Sequence, residues 1–155
     1  MKIFQLYADE KKAFFIAEAI VKARGIAPIE TTGDLVKIIE TSSFDKKSPM
    51  RVFQALRIAV NEEFSHIEKS IAFSISRLSI GGKIAVITFH SIEDRIVKQL
   101  FSHYLEPICN EVTGQIEIPP TLKKVTKKPI EPTENEIHNN PRSRSAKLRI
   151  LQKIS

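Results

Sequence analysis

Apolar positions recur with a helical period through the first half of the chain, and after residue 80 the pattern shortens to that of strands. Over residues 9–24, Ala13, Ile16, Ala17, Ile20 and Val21 return at three- and four-residue spacing. This predicts an amphipathic helix, with Asp9 as its N-cap and Gly25 as its stop. A second helix is expected from Thr31 or Thr32 to Glu40, carrying Leu35, Val36, Ile38 and Ile39. Residues 42–49 read as a loop. A long helix over about 50–65 and, after a bend, another over about 66–79 complete a helical first half. At about 100° per residue, Val52, Leu56, Val60 and Ile67 fall on one side of the long helix and predict its buried stripe, while Gln54, Arg57 and Asn61 group within about 60° on the other.

Gly81-Gly82 breaks the helical pattern, and KIAVITF follows, β-branched at Ile84, Val86, Ile87 and Thr88. A short, nearly continuous apolar run of this kind reads as a parallel strand covered on both faces. It ends at His90-Ser91, where a helix begins at once, with Ser91 as N-cap and Glu93 and Asp94 in the first turn. Strand, short turn and helix make half of a βαβ unit. Residues 106–120 look irregular, and 122–130 fit a strand. Residues 131–144 hold Pro, Asn and Ser in turn-forming numbers, and 145–154 alternate partly, as a final strand would.

Composition narrows the class. The 155 residues are enough for about one domain. The single cysteine, Cys109, cannot form an internal disulfide and fits a reducing cytoplasm. The first residues have no apolar signal-peptide core, and no apolar run is long enough to predict a membrane span. The net charge of +6 is unevenly placed. Acids and bases balance over residues 1–120, so the whole excess lies in 121–155. A local basic surface attracts phosphate backbones, although a solvated basic tail has the same composition. His66, His90, His103 and His138 have no metal-ligand spacing, and no P-loop, nucleophile elbow or kinase motif occurs. The five glycines form no G-x-G turn.

Three segments carry candidate chemistry. His90, Ser91, Glu93 and Asp94 gather beyond the carboxyl end of a strand, where ligands bind in open α/β sheets. The same residues also suit a plain helix cap. Arg51, Gln54, Arg57 and Asn61 form a polar helix face able to hydrogen-bond bases or phosphates, or simply water and a neighbouring helix. Arg142 and Arg144, in NPRSRSAKLR, lie beside Ser143 and Ser145 in a turn suited to phosphate, or to no ligand.

In order along the chain, YADEKKAFFIAEAIVKAR with PIETTGDLV, PMRVFQALRIAVNEE, GGKIAVITFHSIEDRIVK and NPRSRSAKLR resemble the small-subunit (16S) rRNA methyltransferase H family. The resemblance covers essentially the whole chain. It implies transfer of a methyl group from S-adenosylmethionine to the exocyclic N4 of a cytidine in the decoding region of 16S rRNA in the small ribosomal subunit. It also implies an α/β fold: the C-terminal part of a Rossmann-like class I methyltransferase domain plus the remainder of a helical insert domain. Residues 1–79 would be that remainder, and 80–155 the fifth to seventh strands. The family's glycine-rich turn, its acid after strand two and its segment after strand four have no counterpart here, so no donor-binding residue is carried over. Where the family usually reads His-Pro-Ala-Thr, this chain has Ser48-Pro49-Met50 before Arg51.

The exocyclic amine is conjugated with the cytosine ring and is a poor nucleophile. An acceptor for N4–H, offered by His90, Ser91, Glu93 or Asp94, would help localise its lone pair on a base held out of the stack. Without a donor site the chain is expected to be inactive alone and not to bind S-adenosylmethionine. It would then be a fragment, a non-catalytic RNA-binding module, or one subunit of a split enzyme with a separate N-terminal half. The family's sheet order predicts that 83–89 pairs with about 146–153, and that these pair with about 122–129, leaving the other edge of 83–89 unpaired. Weak, salt-sensitive RNA binding is expected through Lys123, Lys124, Lys127, Lys128, Arg142, Arg144 and Lys147.

Overall fold

The computed structural model describes residues 1–111 and 113–155; of the stretch read as irregular, position 112 lies outside the described residues. The chain divides into two compact units, residues 1–63 and 64–155.

The first unit is helical: α1 (Lys2–Ala8), α2 (Ala13–Ile26), α3 (Thr32–Ser43) and α4 (Ser48–Val60). Phe4, Ala8, Ala13, Ile16, Ile39, Val52 and Ala55 form its core. Asp9 is not an N-cap; it closes α1 in the left-handed conformation with φ 47°, which Asp tolerates better than most residues. Gly25 does not stop α2, which runs one residue further and ends at Ala27 in extended backbone. Thr31 caps α3 through a reciprocal capping box with Asp34. Beyond its first two residues α4 buries Val52, Ala55 and Ile58, three residues apart, while Val60 is exposed. The stripe is therefore rotated from the one expected. The small Ala55 lets α4 lie close against α1 and α3.

The bend expected near residue 65 falls earlier. Asn61 caps α4, and Glu62 takes φ 49° before α5 (Glu63–Arg77) begins. In the second unit Ile71 and Ile75 of α5 share a core with Ile84, Val97, Phe101, Leu122 and Leu151.

Gly81 (φ 84°) and Gly82 then turn the chain into β1 (Lys83–Thr88). A Cβ on Gly82 would meet the Ser79 carbonyl oxygen at 2.8 Å, so this turn requires glycine. After β1 come α6 (Ser91–Leu105), β2 (Ile108–Cys109), β3 (Ile116–Ile118), β4 (Leu122–Lys124), α7 (Glu134–Asn139), a 3-10 turn (Pro141–Ser145) and β5 (Lys147–Lys153). Two stretches differ from expectation. β2 and β3 pair as a small hairpin, and 134–145, rich in turn-forming residues, is helical, with Thr133 capping α7.

The main sheet runs β1-β5-β4, the expected order. β1 pairs with β5 from Lys83↔Gln152 to Thr88↔Lys147, and β4 with β5 from Leu122↔Lys153 to Lys124↔Leu151, both antiparallel. Among the described residues the other edge of β1 is unpaired. β1 is not covered on both faces. Ile84 and Thr88 are buried, while Ala85 and Ile87 stay exposed.

Candidate functional site

The turn from β1 into α6 gathers the first group of candidate residues. His90, not Ser91, is the N-cap: its Nδ1 accepts the Glu93 N–H at 3.3 Å. Glu93 reaches back, its Oε2 accepting the Phe89 N–H at 2.9 Å. Its Oε1 lies 2.7 Å from Nε2 of His90. That contact is short but poorly aligned, and Nε2 is buried without a hydrogen bond. Burial pushes the Glu93 carboxyl up, but the close His90 ring and the hydrogen bond from the Phe89 N–H more than offset it, and the group is held below the usual carboxylate value. Ser91 is exposed.

Asp94 faces the sheet. Its two oxygens take a fork from Arg149, Nε to Oδ1 at 2.7 Å and a terminal nitrogen to Oδ2 at 2.8 Å. The Thr88 hydroxyl donates at 3.5 Å. The Arg149 hydrogen bonds outweigh burial and hold the carboxyl below its ordinary value. Arg149, on β5, thus clamps the start of α6 to the sheet. Nothing in the sequence pattern pointed to it.

A groove of about 440 Å³ runs along the free edge of β1. His66, Ser70 and Ser74 of α5 line it, and Phe89 and Glu93 stand at the strand end. Glu93 is thus the acid of this cluster that opens onto a cavity, with Asp94 turned to Arg149.

The α4 face lies in the first unit and separates into two parts. Arg51 points inward: Nε donates to Glu10 at 2.7 Å, and a terminal nitrogen to Asp45 at 2.6 Å and to Ser48 at 3.0 Å. Arg57 forks onto Glu63 at 2.8 and 3.1 Å and stays exposed. Gln54 is half-buried and Asn61 exposed.

The basic residues lie in the second unit. Arg142 and Arg144 are exposed on the 3-10 turn, held by the buried Ser143 hydroxyl donating to the Asn140 carbonyl at 2.8 Å. Lys123, Lys124, Lys127 and Lys128 are exposed on and after β4. Lys147 stands 3.8 Å from Glu131.

In the turn between β1 and α6 the backbone N–H groups of Phe89 and Glu93 are filled by side chains, and no glycine opens it. Among the described residues no cluster of His, Cys, Asp or Glu forms a metal site, and no helix is long and apolar enough to cross a membrane.

The profile described as the MraW methylase family matches residues 1–154. Ribosomal RNA small subunit methyltransferase H of Paenibacillus sp. (strain JDR-2) is 44% identical over 169 residues, covering 99% of this chain and 51% of that protein. The proteins of the same description from Clostridium botulinum (strain Loch Maree / Type A3) and Magnetococcus marinus are 44% and 45% identical, over 161 and 162 residues, each covering 99% of this chain and 52% of the relative. The chain spans about half the length of the curated relatives it matches.

Proposed function

Because the chain belongs to the MraW methylase family, we propose that its residues form the substrate-side part of a cytoplasmic S-adenosylmethionine-dependent methyltransferase acting on cytidine N4 in 16S rRNA of the small ribosomal subunit. On this reading residues 1–79 are the end of a helical insert, and 80–155 carry the last strands of a Rossmann-like domain. The observation that carries it is the strand order β1-β5-β4 with one open edge on β1, in a chain aligned end to end with about half of each relative. The donor-binding elements belong to the share of the relatives' length that these residues do not span.

Within this reading Glu93 is the group best placed to accept a hydrogen bond from the cytidine amine. Its carboxylate is held charged, it opens onto the groove, and the Phe89 N–H fixes its orientation beside the His90 ring. Ser91 is exposed and free to touch the base or its ribose. Asp94 positions the turn through Arg149. Arg142, Arg144 and Lys147 supply phosphate contacts, which orient RNA without reading its sequence. On this reading the α4 face of Gln54, Arg57 and Asn61 carries sequence recognition, with Arg57 already paired to Glu63.

The test is complementation. The part of the Paenibacillus relative that this chain does not span, made as a separate polypeptide, should restore transfer of labelled methyl groups to small-subunit rRNA when mixed with this chain. The chain alone should give no heat of S-adenosylmethionine binding in titration calorimetry. Micromolar binding by the chain alone would overturn the assignment of the donor site to the missing half. Non-catalytic RNA binding is the second reading, favoured by the basic segment 121–155. It stands if complementation fails while RNA still binds.

A further inference from the structure

We propose that the groove between α6 and β4 is a track for single-stranded RNA, with phosphates held along its rim and bases against its floor. This deepens the reading above and rests on RNA being the partner.

The groove is a concavity of about 730 Å³ in the second unit. Its floor is apolar, built from Phe101, Leu105, Leu122, Pro129 and Ile150. Five lysines line it: Lys98 from α6, Lys123 and Lys124 from β4, and Lys127 and Lys128 from the segment that follows. All five are exposed, and among the described residues none of them has a salt bridge or side-chain hydrogen bond. Glu106 is the one acid in the lining. Arg149 also lines the groove, but Asp94 neutralises it.

Five unpaired ammonium groups around a concave, poorly polarisable floor repel one another, and the cleft concentrates their field. An anion there relieves that repulsion. A single phosphate engages two or three donors, whereas charges contributed by three separate pieces of structure match a polymer with repeated charge. The apolar floor chooses among polyanions. A duplex keeps its bases stacked inside and presents phosphates, while a single strand can lay base faces on apolar side chains. An acidic peptide offers charge without flat apolar faces.

The experiment is fluorescence anisotropy on the full chain across a salt series. The probes are a short labelled single-stranded RNA, the same RNA as a duplex, and a polyglutamate peptide of matched length. The triple variant K98Q/K123Q/K127Q alters exposed side chains, and circular dichroism confirms its fold. It should bind the single strand at least tenfold more weakly. Its salt slope should fall by about 0.7 for each phosphate no longer neutralised, about 2 in all. The double variant R142Q/R144Q separates this proposal from the reading beneath it. If the double variant weakens binding and the triple variant binds like the parent, the groove is overturned and RNA recognition stands. If the parent binds no RNA, both fall. Duplex or polyglutamate binding as tight as the single strand overturns the assignment to single-stranded RNA.

Discussion

Glu10 has no exposed side-chain surface and is ionised. Burial raises its pKa. The hydrogen bonds from Arg51, the Lys12 N–H and Ser48 more than offset that, and the net shift is downward. A carboxyl whose folded pKa is depressed contributes stability that is complete above its unfolded value and is lost as pH falls through the folded one. Replacing Arg51 with Met removes the first of those lowering contacts and leaves burial opposed by fewer of them, so the Glu10 pKa should rise relative to the parent. R51M should lose about 3 kcal/mol at neutral pH, since it strands a buried charge. The deficit relative to the parent should shrink toward about pH 4 as Glu10 takes up a proton. Thermal melts across that range check it; a deficit independent of pH would mean that Arg51 acts through packing alone. At His90 the capping and chemical roles can be separated. H90N keeps a cap acceptor and should melt within about 1 kcal/mol of the parent, yet in the complemented enzyme it should release Glu93 and lower methyl transfer. Equal activity would confine His90 to capping.

At the scale of elements, the Asp94–Arg149 fork joins α6 to β5 across 55 residues of sequence. D94N keeps the shape and removes the charge that Arg149 faces, and should cost about 2 kcal/mol in urea unfolding. The depressed Asp94 pKa also means that stability drains as pH falls through it, so D94N should flatten the acid limb of the profile. This fork marks what the sequence could not reveal. β1, α3 and α6 were legible because their signals are local: the Gly81-Gly82 break, the Thr31–Asp34 box, the acids that open α6. Two further local signals are weaker, the Phe4–Ala8 spacing of α1 and the Thr133-x-x-Glu136 cap of α7, and neither element was anticipated. The pairs Glu10–Arg51 and Asp94–Arg149 have no local signature at all. The candidate acids of the β1–α6 turn were visible, but the partner that fixes one of them was not. Nor was the exposure of Ile87 visible. An apolar run reads the same whether one face or two are covered.

For the whole molecule, that uncovered face and the open β1 edge are the feature that sets its behaviour. Ile87 is 57% exposed beside unpaired backbone, the arrangement that invites strand-to-strand association. The variant I87K should reduce self-association in sedimentation velocity without lowering the melting temperature. Unchanged association would point instead to another of the exposed apolar patches.

The pairing of β1 also has a consequence for synthesis on the ribosome. Its one partner among the described residues is β5, and the paired positions lie 59 to 69 residues apart. When Thr88 leaves the exit tunnel, Lys147 has not yet emerged. At about 5–20 residues per second the strand waits roughly 3–12 s for that partner. The first unit, complete by residue 63, can settle during that interval. The second cannot begin its sheet until its last strand arrives. Arrest-peptide force measurements at increasing nascent length should therefore register two separate folding events, an early one for the helices and a late one coinciding with emergence of β5.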